Sequence, residues 1–321
     1  MAGDERTPNL WGDKRYQSLN YFLRRKFGQK VFKVCLDAGF SCPNRDGTLS
    51  NTGCLFCSAR GSGDFAGRRG SSLEEQFAEV KAFMHKKWPQ AEYIAYFQAF
   101  TNTYASPAVL RGIYGQALNL EGVVGLAIAT RPDCLGEEVL DVLQEVMQKR
   151  YLWVELGLQS IHPKSAGRFN LGYSFDDFLD ALSRLKDRDI ECCAHLILGL
   201  PGESRDDMMA SALKVAGLPL DGIKLHLLHV MKDTPLGCLY QQRPFDILSR
   251  DEYVEMVVDI LEILPADMVI HRLTGDSPRH TLLEPQWSIN KWEVLNLIDR
   301  RLAEKNTWQG KYWIKPPELS I

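Results

Sequence analysis

Apolar residues along the chain follow two alternating patterns. Six strand-length runs rich in β-branched and aromatic residues lie near residues 31–38, 92–98, 123–129, 152–158, 192–198 and 222–228. Between them, helical apolar spacing occurs over residues 73–86, 107–118, 136–149, 176–188 and 204–216. Strands that alternate with helices without long interruption predict an α/β protein with a parallel sheet and the helices outside it.

Start signals support several of these helices. A serine stands before three of them, namely Ser71 or Ser72, Ser106 and Ser174, and Pro107 follows the second. Serine oxygens accept hydrogen bonds from the first turn of a helix, and proline suits its first position. Right-handed crossovers would close the six strand–helix units into a barrel or part of one.

Composition is that of an ordinary globular protein. The 321 residues are 45% hydrophobic and 25% charged, and the net charge is −3. No apolar run reaches about 18 residues, so no membrane span is expected. The first eight residues lack the basic-then-apolar pattern of a signal peptide. Eight unevenly spaced cysteines do not indicate a disulfide scaffold, and free thiols favour a cytoplasmic location.

Polar side chains recur at or near the carboxyl ends of the predicted strands. They are Gln98, Arg131, Glu155, Gln159, His195, Lys224, His226 and His229. Barrel active sites lie at these strand ends, and buried charge is costly unless it meets a partner or a ligand. We therefore expect a ligand site there, although any one of these residues alone could be a satisfied core polar group.

Three cysteines stand in one loop after the first strand, at Cys42, Cys54 and Cys57. A structural zinc or an electron-transfer iron–sulfur cluster normally takes four protein ligands, so three thiolates leave one metal position open. A non-catalytic iron–sulfur carrier or a zinc module remains an alternative, and would need a fourth ligand. The other cysteines lie in strand or helix patterns and are predicted to be core or strand-end residues: Cys35, Cys134, Cys192, Cys193 and Cys238.

The cysteine run, with eleven residues between Cys42 and Cys54, resembles the cluster loop of radical S-adenosylmethionine (SAM) enzymes. It is most similar to the branch of YhcC/YtqA-like (MnmL-like) proteins, which is related to the Elongator catalytic subunit. Further stretches carry the resemblance: 32–47, 57–67, 96–104 and 289–295. It implies a partial (β/α)6 TIM-type barrel over residues 31–235. Residues 1–30 would form a basic extension, and 236–321 an α/β extension that closes the barrel and contributes to substrate binding.

The resemblance also implies cofactors and their contacts. A [4Fe–4S] cluster would sit on the three cysteines, with SAM on its fourth iron as the source of a 5′-deoxyadenosyl radical. The residues implied to contact SAM are Phe56, Gln98, Arg131, Glu155, Gln159, His195 and Gly199. One departure concerns Leu171, which replaces an arginine that helps to hold the SAM carboxylate in the family. Leucine cannot make that contact, so Arg168 or another cation would have to substitute.

The implied substrate is the wobble uridine of tRNA, with conversion of 5-carboxymethylaminomethyluridine to 5-aminomethyluridine. Lys224 and His226 are the catalytic candidates, and His229, Arg45 and Arg60 are further candidates for contacting the substrate or relaying protons; each of the five could instead be a solvated or core polar group. A flavodoxin or ferredoxin would supply electrons. Residues 14–33 contain seven basic residues and no acidic one, interleaved with aromatics. Such a segment suits RNA binding, or is a solvated helix face. A radical SAM reaction on a porphyrin or peptide is the alternative.

Overall fold

Seven parallel strands form the main sheet of the computed structural model, which describes residues 10–61 and 63–315. The sheet order is β1-β2-β3-β4-β5-β6-β8, and each strand except the last is followed by a helix that crosses over to the next. The strands are β1 (Val31–Leu36), β2 (Glu92–Phe97), β3 (Val123–Thr130), β4 (Tyr151–Gln159), β5 (Glu191–Leu198), β6 (Gly222–Leu227) and β8 (Val269–Arg272). The predicted partial barrel is confirmed.

The helices of the described residues are α1 (Leu19–Phe27), α2 (Leu73–His85), α3 (Pro107–Leu118), α4 (Glu137–Met147), α5 (Pro163–Arg168), α6 (Phe175–Lys186), α7 (Arg205–Ala216), α8 (Pro235–Gln242), α9 (Arg250–Ile263) and α10 (Lys291–Glu304). The five predicted helices agree with α2, α3, α4, α6 and α7 to within about two residues at each end. Local capping explains this accuracy. Ser72 and Ser174 form reciprocal capping boxes with Glu75 and Asp177.

The sequence pattern predicted six strands, and the structure adds a seventh to the sheet. Strand β8 pairs in parallel with β6, with Ile223 opposite Ile270. It is only four residues long, too short for a periodic pattern to reveal it. The strands β7 (Val230–Met231) and β9 (Leu282–Glu284) form a separate antiparallel pair.

Helix α1 closes the amino-terminal end of the barrel. Its buried residues Leu19 and Leu23 pack with Ile94, Trp153 and Val269 inside the sheet. A second, larger apolar layer lies between the sheet and the outer helices. The basic segment therefore lies at the opposite end of the strands from the cysteine loop, which follows the carboxyl end of β1.

The two chain extensions pack on each other as well as on the barrel. The Gln17 N–H donates to the side-chain oxygen of Gln309 at 2.8 Å, and the amide of Gln309 donates to the carbonyls of Pro265 and Met268. Residues 1–9 and 316–321, at the outer ends of the predicted extensions, lie outside the described residues. No described helix has both the length and the apolar character needed to cross a bilayer.

Candidate active site

The cysteine loop is held in shape by two of its own polar side chains. Arg45 donates to the carbonyls of Cys57 at 3.0 Å and Ser58 at 2.7 Å. Asn44 donates to the Cys54 sulfur at 3.6 Å. Gly53 adopts a φ of 74°, and a Cβ there would lie 2.7 Å from Arg45 Nε. Glycine at this position therefore allows the arginine to brace the loop.

All three loop cysteines face one cavity. A hydrogen bond from Cys57 lowers the pKa of Cys54 to about 7 against the opposing effect of burial, and Arg131 and Asn44 also favour the thiolate. Thiolates are the form that binds metals. Within the described ranges, no three His, Cys, Asp or Glu side chains are grouped closely enough to hold a single metal ion. Three cavity-facing thiols in one loop fit a cluster that needs three cysteine ligands.

The cavity lies at the carboxyl ends of the strands, and nearly all of the residues predicted for the site line it. These are Cys42, Cys54, Phe56, Cys57, Gln98, Arg131, Glu155, Gln159, His195, Lys224, His226, His229 and Arg45. Gly199 is not on the cavity wall. Its N–H donates to the Met208 sulfur at 3.1 Å, and a Cβ there would meet Leu248 at 3.2 Å. Arg60 is also outside the lining and donates to the Gly67 carbonyl.

The Gly-x-Gln pattern at the end of β4 has a steric reason. Gln159 ends β4 with a φ of 69°, in the left-handed region that side-chain-bearing residues rarely adopt. A Cβ on Gly157 would lie 2.5 Å from Gln159 Nε2, so a larger residue there would displace the glutamine. Tyr173 hydrogen-bonds to Gln159 and lies on the same wall.

Arg131 is the cation beside Leu171. Its guanidinium donates to both oxygens of Asp133 at 2.9 and 2.7 Å and to the Leu171 carbonyl at 2.8 Å. Burial lowers its pKa, but the hydrogen bonds and charge of Asp133 outweigh burial and raise it above the usual value. Arg168, the other candidate, is exposed, bonds to the Pro201 carbonyl and does not line the cavity.

Glu155 is fully buried beneath the cavity and is surrounded by donors. It contacts Lys224, Trp153 Nε1 at 3.0 Å, His195 Nε2 at 3.1 Å, Lys33 Nζ at 3.7 Å and His271 Nδ1 at 3.8 Å. Burial raises its pKa, but the two lysines and the two histidines reverse this effect and hold it well below the usual value. The carboxylate is therefore ionised, and both of its oxygens already have protein partners.

Lys224 and two histidines present polar atoms to the cavity above Glu155. Lys224 Nζ donates to the Tyr96 hydroxyl at 2.9 Å, and burial lowers its pKa to about 7 although Glu155 opposes this. Burial holds the pKa of His226 well below its usual value and lowers that of His229 to about 4. Both imidazoles are therefore neutral. Their Nε2 atoms are buried and have no hydrogen-bond partner among the described residues, as expected where a ligand completes the site.

Sequence reasoning missed several residues of this site. Tyr96 and Tyr173 line the cavity, and Lys33 and His271 complete the surroundings of Glu155. Lys33 could have been found, because a lysine inside a strand faces the same side as Cys35 two residues later. His271 lies in the unpredicted strand β8 and had no such signal. The expectation for Cys238 is wrong, because this cysteine is exposed on α8.

Comparison with known proteins agrees with this arrangement. Residues 47–215 match the radical SAM superfamily, and residues 220–304 match the Radical_SAM C-terminal domain. The chain is 50% identical over 308 residues to YtqA of Bacillus subtilis (strain 168), covering 96% of both chains. It is 26% identical over 185 residues to a tRNA uridine(34) acetyltransferase of Methanocaldococcus infernus, covering 57% of this chain and 34% of that protein.

The fold is also similar to that of a solved structure. The solved structure of Elp3 from Methanocaldococcus infernus, lacking residues 1–46, superposes with a TM-score of 0.67 at 17% identity. The match covers 87% of this chain and 64% of that one. The family match covers more than half of the chain, and three cysteines lie at the mouth of a partial barrel. Together these findings identify the class of protein. The protein is a member of the radical SAM superfamily, enzymes that use a [4Fe–4S] cluster and S-adenosylmethionine.

Proposed function

We propose that this enzyme modifies the wobble uridine of tRNA by converting 5-carboxymethylaminomethyluridine to 5-aminomethyluridine. The carboxymethyl group would be oxidised by two electrons and leave with the oxygen of water as glyoxylate, while SAM takes up the two electrons and yields methionine and 5′-deoxyadenosine. The observation that carries the proposal is the cavity itself, where a three-cysteine loop and two imidazoles share one wall, and the Nε2 atoms of these imidazoles have no hydrogen-bond partner among the described residues. The substrate class is supported by similarity to a tRNA uridine(34) acetyltransferase. The acetyl-transfer activity in that protein's name is not proposed for this chain.

The cofactors would occupy the side of the cavity next to the cysteine loop. Cys42, Cys54 and Cys57 would hold the cluster, and the chemistry that the cluster and SAM would supply is a 5′-deoxyadenosyl radical for hydrogen-atom abstraction. Arg131 would hold the SAM carboxylate. A guanidinium has five N–H donors, and among the described residues Arg131 forms three hydrogen bonds, two to Asp133 and one to Leu171. The remaining donors can reach an anionic group in the cavity.

Residues in and just after β6 would contact the substrate. A neutral imidazole offers one donor and one acceptor, so His226 and His229 can bind the polar edge of a uracil ring without carrying charge. Lys224 has a pKa of about 7, which suits a group that gives or takes a proton near neutral pH. Glu155 would position Lys224 and His195 rather than react, because its oxygens are already engaged.

The approach to the cavity is partly basic. Arg272 lines the cavity and is paired with Asp276 at 3.4 Å, and the basic residues Arg279 and His280 are exposed immediately after the Ser277–Pro278 wall of the cavity. Arg272, Arg279 and His280 belong to residues 236–321, the extension that is expected to contribute to substrate binding. A tRNA that places its anticodon in the cavity would meet them first, and phosphate contacts of this kind set position rather than sequence.

The test is direct. The protein is reconstituted anaerobically, reduced, supplied with SAM and incubated with tRNA from cells that lack the gene, and the nucleosides are then measured. We expect loss of 5-carboxymethylaminomethyluridine and equal gain of 5-aminomethyluridine. The His226→Ala variant should cleave SAM in the absence of RNA yet lose most of this conversion. SAM cleavage without change in any tRNA nucleoside would contradict the proposal and favour a porphyrin or peptide substrate.

A further inference from the structure

A second cleft opens at the other end of the barrel. It is lined by Arg24, Gly28, Gln29, Lys30, Trp88, Pro89, Gln90 and Ala91. Lys30 leads directly into β1 and Ala91 into β2, so the cleft lies at the amino ends of these strands. Each of the two strands has six residues. At about 3.3 Å per residue, the cleft is on the order of 20 Å from the cavity at their carboxyl ends.

The cleft contains two basic side chains, Arg24 and Lys30, that have no acidic partner there. None of its lining residues is Asp or Glu. Within the described chain, neither Arg24 nor Lys30 nor Lys87 forms a salt bridge. Burial lowers the pKa of the half-buried Lys30, and the charges of Arg24 and Lys87 lower it further. Like charges held together in this way repel each other, and a bound anion would remove the repulsion.

Another basic residue of the same helix, two positions after Arg24, is different. Lys26 pairs with Glu191 at 3.4 Å and lies 3.9 Å from the ring centre of Tyr151. Its charge is already compensated by the barrel. The consecutive basic residues of α1, which are Arg24, Arg25 and Lys26, therefore have separate roles. Of these three, only Arg24 lines the cleft.

An aromatic ring stands among these cations, of which Lys30 donates to the side-chain oxygen of Asn20. Trp88 is 36% exposed, with the guanidinium carbon of Arg24 5.6 Å from its ring centre and the Phe32 ring at 6.5 Å. Proteins that bind single-stranded nucleic acid use cations to contact a phosphate and a neighbouring exposed aromatic ring to stack on the adjoining base. We propose that this cleft binds a phosphodiester and a neighbouring base of the RNA substrate, as a second contact remote from the reacting cavity.

This inference rests on the proposed function and extends it. One RNA that occupies both places must reach around the barrel wall over roughly 20 Å. A folded tRNA can do so and a free nucleoside cannot. Because the cleft touches no reacting atom, its contribution is to binding and not to chemistry. Removing the positive charges of the cleft should raise KM for tRNA and leave kcat nearly unchanged.

The test compares two triple variants of the full chain that lose the same charge. One carries Arg24→Gln, Lys30→Gln and Lys87→Gln in or beside the cleft. The control carries Lys81→Gln, Arg111→Gln and Arg184→Gln, which are paired on outer helices with Glu121, Glu145 and Glu137. We expect the cleft variant to bind tRNA at least tenfold more weakly, with a shallower dependence of log Kd on log salt. The control should stay within twofold of the unmodified protein.

A single change separates stacking from charge. Trp88→Leu should weaken tRNA binding while leaving the salt slope unchanged, and Trp88→Phe should retain most of the affinity. RNA-independent SAM cleavage should be the same in all variants, which also verifies that they fold. Equal weakening in the control triple, or unchanged tRNA binding in the cleft triple, would overturn the inference.

The binding measurement also keeps the two proposals apart. Cleft-dependent tRNA binding without any nucleoside change would contradict the proposed reaction but support the cleft. Conversion of tRNA with an unaltered KM in the cleft triple would support the reaction and contradict the cleft.

Discussion

Arg131 donates a 2.8 Å hydrogen bond to the backbone carbonyl of Leu171, forty positions further along the chain. A guanidinium thus lies beside the position where the family has an arginine side chain. The Leu171 side chain itself is buried among Phe169 and Leu200 and cannot reach an anion. The cation at this wall therefore comes from the end of β3 rather than from the segment after β4.

The first prediction follows from this contact. Replacing Arg131 with Met should weaken SAM binding by about 1.5–3 kcal/mol, the usual contribution of a hydrogen bond to a charged group. Equilibrium binding to reconstituted protein of equal iron content measures the change. Arg168→Met is the matched control and should bind SAM normally, because that side chain bonds outside the cavity. Normal affinity in Arg131→Met would show that another group holds the carboxylate.

The second prediction concerns the cluster. Alanine at Cys42, Cys54 and Cys57 together should abolish the bound iron and sulfide after anaerobic reconstitution, because three thiolates are removed from one site. Cys238→Ala should retain the full content, since Cys238 is exposed on α8 and away from the cavity. Iron analysis and the visible absorption spectrum report the result. Full iron content in the triple variant would mean that other cysteines bind the cluster.

The third prediction concerns the ion pair between Glu155 and Lys224. Glu155→Gln leaves Lys224 buried without a counter-charge and should lower the free energy of unfolding by about 3–5 kcal/mol. The double variant Glu155→Leu with Lys224→Met removes both buried charges and leaves only Lys33, whose side chain is 19% exposed, so it should recover much of this loss. Urea unfolding at equal cluster content measures each. A double variant no more stable than the single one would show that packing, not charge, dominates here.

The fourth prediction is a loss of stability in acid. Burial lowers the pKa of His195, His229 and His271 from 6.5 to about 4 in the folded protein. Between these values the unfolded chain binds more protons, so stability is fully present above pH 6.5 and falls as pH falls towards 4. Each histidine contributes a slope of up to about 1.4 kcal/mol per pH unit. His229→Asn should make the decline of the urea midpoint between pH 7 and pH 5 shallower, and an unaltered decline would contradict this assignment.

Much of the fold could be predicted because its determinants are local. The spacing of apolar residues located six of the seven sheet strands, and capping serines placed the starts of α2 and α6. The four residues of β8 follow a helix that was not predicted either, and they are strand only because the β6 edge is available to pair with them. Helix α1 could not be placed from its sequence, because burial of Leu19 and Leu23 depends on the barrel end that they close.

The sequence by itself determined the cysteine loop, the strand–helix order and most of the cavity wall, because these depend on short-range spacing and on which strand ends carry polar groups. Only the tertiary structure decided how the charges are arranged. Glu155 is surrounded by residues from four other places in the chain, Arg131 lies beside Leu171, and Arg24 is separated from Lys26. Such pairings depend on strand register and closure of the barrel. They bring together side chains that are far apart in sequence, and no local pattern records that proximity.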